Sequence, residues 1–96
     1  MPRVTTPFQE RCSKALLASL KDLGVEANAW QFKDGEEESF YEGDLGPVKI
    51  WIYQDMADAQ GQRNHKVYEK PDYKSEDDLI AAFVKGVSDM LADSRS

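Results

Sequence analysis

The chain has 96 residues, 41% hydrophobic and 31% charged, a composition of globular and not disordered protein. Its 18 acids against 12 bases give a formal charge of −6 and a sequence pI of about 4.7. That balance argues against binding duplex DNA or an anionic membrane by bulk charge, which needs a surplus of Lys and Arg, and it leaves room for a basic protein partner.

Cys12 is the one cysteine, so no intramolecular disulfide can form, and a reducing compartment is expected. The first residues, MPRVTTPFQER, lack the apolar run of a signal peptide, and no window approaches a membrane span. A cytoplasmic protein of one domain, residues 1–96, is the expectation, with residues 1–5 and 92–96 frayed.

The first element in chain order is a helix over about residues 7–23. Thr6 can cap it, Pro7 suits the first helical position, and Gln9 stands where a capping box wants Glu or Gln. Phe8, Cys12, Ala15, Leu16, Ser19, Leu20 and Leu23 recur at spacings of three and four, and Gly24 is a fitting residue just past the end. Val25 to Lys33 reads as a strand with Trp30 and Phe32 inward, closed by an Asp34-Gly35 hairpin turn. Glu36-Glu37-Glu38 opens the next strand, which ends near Glu42, and Gly43 to Pro47 is a turn.

Gly46 to Gln54, GPVKIWIYQ, is the longest run of β-formers and the segment around which the chain is organised. Period-two alternation sends Val48, Ile50 and Ile52 to one face and Lys49, Trp51 and Tyr53 to the other. Asp55 to Asn64 reads as a long polar connection. His65 to Lys70 reads as a further strand, with Val67 inward and Lys66, Tyr68 and Lys70 outward. After a turn at Pro71 to Lys74, Ser75 caps a second helix with Asp78 as its capping-box partner. Glu76, Asp77 and Asp78 match the helix dipole there. Its apolar stripe is Leu79, Ile80, Phe83, Val84, Val87, Met90 and Leu91. Gly86 interrupts that helix at a cost of about 1 kcal/mol against alanine, and two readings are open for it: it permits close helix packing, or it is neutral.

The order α-β-β-β-β-α with short connections predicts an α+β fold. Its sheet is an antiparallel meander of three or four strands, with two helices packed on one face. The other face is then uncovered, and alternation assigns it Gln31, Tyr41, Lys49, Trp51, Tyr53, Lys66, Tyr68 and Lys70. Such an aromatic face has three uses: cross-strand packing, protein docking or self-association, and stacking of a single-stranded nucleic acid between lysines. A second surface is acidic: Glu36, Glu37, Glu38, Glu42 and Asp44, able to meet a basic partner or to imitate nucleic-acid phosphate.

Chemistry has little to work with. Cys12 lies on the apolar helix face as a small core residue, and His65 is the one histidine. Asp55 and Asp58 lack the spacing of a calcium loop, and no phosphate-binding glycine pattern occurs. No catalytic residue, cofactor or metal is therefore expected. The functional expectation is a small, acidic, non-enzymatic interaction domain, monomeric or a homodimer, acting through the aromatic face, the acidic edge or both. The alternative is a nucleic-acid-related role, binding single strands or mimicking them to inhibit a nucleic-acid enzyme.

Overall fold

In the structure, a computed structural model that describes residues 5–27 and 29–95, the first helix α1 spans Pro7–Asp22. Its capping box is complete. The Thr6 hydroxyl accepts from the Gln9 backbone N–H at 3.3 Å, and the Gln9 side-chain oxygen accepts from the Thr6 N–H at 2.9 Å. Gln9 does more than cap. It is fully buried, and its side-chain N–H donates to the carbonyls of Ser39 at 2.8 Å and Ile52 at 3.3 Å. The helix start is thereby tied to two strands. At the far end Gly24 takes φ +72°, its N–H bonds the Lys21 carbonyl and the Val25 N–H bonds the Leu20 carbonyl, the Schellman ending that glycine permits.

The sheet has five antiparallel strands, more than the three or four expected. They are β1 (Ala29–Asp34), β2 (Ser39–Asp44), β3 (Lys49–Ile52), β4 (Met56–Gln60) and β5 (His65–Glu69), laid side by side in sequence order. The additional strand, β4, falls in the segment expected to be a polar connection. Met-Ala-Asp-Ala-Gln contains no strong β-former. Yet Ala57 and Ala59 are fully buried while Gln60 is exposed, an alternation imposed by pairing with β3 and β5.

All four hairpins close alike, with Gly35 N–H bonding the Glu38 carbonyl, Leu45 that of Val48, Tyr53 that of Met56 and Gly61 that of Asn64. Each leaves a two-residue corner. The first corner is therefore Glu36–Glu37 and not Asp34–Gly35, and the three glutamates belong to the hairpin loop and not to a strand. Gly43, expected in a turn, lies inside β2, because the actual corner is Gly46–Pro47. Gly46 has φ +89°, and glycine is the residue preferred at the first position of such a loop.

After a short 3-10 turn at Lys70–Asp72, α2 covers Glu76–Arg95, including residues 92–95 that were expected to fray. Residues 1–4 and 96 lie outside the described residues. Only half of the capping box expected at this helix is present, the Asp78 N–H donating to the Ser75 hydroxyl at 3.2 Å. Phe8, Cys12, Leu16 and Leu20 of α1 share one core with Leu79, Ile80, Phe83, Val87 and Leu91 of α2 and with Ile50, Ile52, Ala57, Ala59 and Tyr68 of the sheet. These sheet residues lie on one face, so both helices cover that face.

Two glycines make the packing possible. A Cβ on Gly86 would overlap the Tyr68 hydroxyl, so α2 reaches the sheet only because residue 86 has no side chain. A Cβ on Gly43 would lie 2.6 Å from two carbons of the Trp30 ring, which covers bare β2 backbone and donates its indole N–H to the Ser13 hydroxyl at 3.1 Å.

Candidate functional site: the uncovered sheet face

The pairing register fixes which side chains share the face opposite the helices. One row across the sheet is Ala29, Asp44, Lys49, Gln60 and His65, and the next is Gln31, Glu42, Trp51, Asp58 and Val67. The third runs Lys33, Phe40, Tyr53, Met56 and Glu69. Among the described residues no element packs over these rows. Trp51, Phe40, Tyr53 and Met56 are each only half-buried, and Val67, on the outermost strand, is 36% exposed. The Phe40 and Tyr53 rings contact each other with centroids 5.2 Å apart. The result is an apolar patch across β2 to β5 with an aromatic middle.

Charges frame that patch. Lys33 pairs with Glu42 at 3.1 Å, and the His65 ring Nε2 lies 2.5 Å from an Asp58 oxygen, with the Asp58 side chain only 17% exposed. Partial burial, then the nearby charges of Asp58, Glu38 and Glu42, raise the Tyr53 phenol above its ordinary pKa.

Gln31, Lys49, Trp51 and Tyr53 occupy the face expected of them, and Glu42, expected on a separate acidic edge, joins them there. Four expected members do not. Tyr41 pairs with the buried Ile52, and its ring meets Phe32 on the helix side at 4.9 Å. Tyr68 is 1% exposed and packs edge-on against Phe83 of α2. Lys66 lies on that same side, its ammonium 5.1 Å from the Tyr68 ring. Lys70 has left the sheet for the 3-10 turn, over the Phe8 ring and 3.6 Å from Glu76. The reason is parity. Val67 points outward, so Lys66 and Tyr68 point inward, and the largest side chain of β5 takes the core position. Conversely, Phe40, Met56, Asp58, His65 and Val67 belong to the face and escaped the sequence reading. A correct corner at Glu36–Glu37 would have supplied Phe40, while Met56 and Asp58 needed β4.

The acidic edge is not one surface. Glu36 and Glu37 are exposed at the first corner. Glu38 faces the next hairpin, where partial burial and then the charge of Asp55 raise its carboxyl pKa. Glu42 sits on the open face. Asp44 is at the opposite end of β2 and accepts from the Gly46 N–H at 2.9 Å, a turn-forming duty.

Compared with protein-family models, curated proteins and solved structures, the chain finds no match. Among the described residues no His, Cys, Asp and Glu side chains are grouped to hold a metal ion, and no helix is long and apolar enough to cross a membrane.

Proposed function

We propose that the protein is a small non-enzymatic interaction domain that docks a protein partner on the uncovered face of its sheet. The observation that supports this reading is the patch of Phe40, Trp51, Tyr53, Met56 and Val67, contributed by four adjacent strands and left without a covering element among the described residues. Aromatic and methionine side chains so placed are the composition of a docking surface. The nucleic-acid alternative has less support. Of the lysines it would use, Lys66 and Lys70 lie off the face, and the carboxylate of Glu42 adjoins Trp51 across the sheet.

The test is position-specific crosslinking with a stability control. A photoreactive phenylalanine in place of Val67, on the face, should trap a partner in cells that one in place of Lys85, on α2, does not trap, and Trp51→Ala with Tyr53→Ala should abolish trapping. That double variant should lose less than about 2 kcal/mol, since exposed cross-strand pairs contribute about 0.2–1 kcal/mol each. Equal trapping from both positions, or a loss of several kcal/mol that marks the rings as structural, would refute the proposal.

A further inference from the structure

The acids of the uncovered face are placed around its central ring. Trp51 has Glu42 directly opposite on β2 and Asp58 directly opposite on β4, so carboxylate-bearing residues flank the indole on both sides of one row. Directly opposed residues in an antiparallel pair have Cβ atoms about 4.5–5.5 Å apart, within reach of a group seated on the ring. The lysine that offsets Glu42 projects from edge strand β1 and the histidine beside Asp58 from edge strand β5, so among the described residues the centre itself holds no cation. Across the three rows the carboxylates are Glu42, Asp44, Asp58 and Glu69, against Lys33, Lys49 and His65, so acids outnumber bases on the face.

Size and charge identify the kind of occupant. Four inter-strand steps of about 4.8 Å and strands of about five residues give a face of about 20 by 17 Å. That footprint is well below the roughly 800 Å² per partner of a standard globular interface. A second copy laid face to face would also bring Glu42 and Asp58 against like charges. An extended segment or a helix carrying cations meets both conditions.

Building on the docking function, we propose that the face binds an arginine-bearing segment of a partner protein, with a guanidinium stacked on Trp51 and held between Glu42 and Asp58. Arginine is favoured over lysine because its planar group stacks on an indole and presents a fork of N–H donors to carboxylates while doing so. Burial is the main cause of the raised pKa of the Tyr53 phenol, and the smaller contributions of Asp58, Glu38 and Glu42 agree with a negative potential at this point of the surface.

The experiment is a nitrogen-15 NMR titration with a short synthetic peptide alternating arginine and leucine, and with the same peptide carrying citrulline, which keeps the shape of arginine and removes its charge. The arginine peptide should shift the amides of Glu42, Trp51 and Asp58 and the Trp51 indole N–H saturably. Citrulline should weaken binding tenfold or more, a lysine version several-fold, and Glu42→Gln with Asp58→Asn should weaken the arginine peptide as citrulline does. Trp51→Ala should abolish the response. Equal binding of the citrulline peptide to the same amides would overturn the arginine assignment and leave the docking function standing. Shifts confined to Glu36–Glu38 and the start of α2 would also overturn it, showing general attraction to acids. No response from either peptide on the face would count against both.

Discussion

Gly86→Ala in α2 should destabilise the protein, although helix propensity alone says the reverse. Alanine in a helix interior is worth about 1 kcal/mol over glycine. At this site the added methyl would overlap the Tyr68 hydroxyl and lie 3.0 Å from the ring carbon that bears it. Phe83 packs against the same ring and the ring is fully buried, so the strand side chain has little room to yield. Overpacking of this kind costs about 1–3 kcal/mol, and here it also has to exceed the propensity gain. The partner substitution acts oppositely. Tyr68→Phe removes a hydroxyl that is buried and has no hydrogen-bond partner among the described residues, and so relieves a desolvation cost of about 1–3 kcal/mol. With the hydroxyl gone, only the 3.0 Å approach to the ring remains, which needs a few tenths of an ångström of give. Gly86→Ala in the Tyr68→Phe background should therefore approach its propensity gain. A double-mutant cycle by urea unfolding should return a coupling energy of about 1–3 kcal/mol. Each kcal/mol moves the thermal midpoint by about 4–8 °C at this size. Stabilisation by Gly86→Ala alone, additive with Tyr68→Phe, would refute the argument.

Two further substitutions probe the helix–sheet junction. Gln9→Ala removes half of the α1 capping box, about 1 kcal/mol, and strands the carbonyls of Ser39 and Ile52, about 1–3 kcal/mol more, a total of about 2–4 kcal/mol by urea unfolding. Gln9→Glu keeps the acceptor and loses the donor, so it should be no better than Gln9→Ala; a neutral effect would show that the donated bonds carry nothing. Burial, with the Glu76 charge a smaller cause, pushes the Cys12 thiol up to about 12 from 9.0. An aromatic disulfide reagent at pH 8 should leave it unmodified in the folded protein and label it at once in urea. Above about pH 9 the unfolded chain ionises this thiol and the folded one does not, so unfolding releases a proton and stability falls by about 1.4 kcal/mol per pH unit, levelling off near pH 12. Cys12→Ala should flatten that limb of the stability curve, and an unchanged slope would exclude Cys12 as its source.

Where a residue's role is set by its chain neighbours, the sequence determined the structure. Thr6, Pro7 and Gln9 start α1 and Gly24 ends it, because capping and left-handed turns are satisfied within a few residues. Ile50 and Ile52 face the core and Trp51 the open side because a strand has period two. The two helices, their stripes and the antiparallel sheet were legible for the same reason. The tertiary structure decided what local signals leave open. Met56–Gln60 became a strand because its neighbours supply the hydrogen bonds and α2 needs small residues beneath it, not because its own residues favour extension. Parity on β5 was settled by Tyr68 filling the space that Gly86 leaves, which took Lys66 and Tyr68 from the expected face, while register on β2 set Tyr41 opposite Ile52 and the 3-10 turn carried Lys70 away. The same pairings brought Asp58 and Glu42 to either side of Trp51. Such cross-strand neighbours are fixed by register, which depends on every hairpin corner at once and is written in no single segment of the chain.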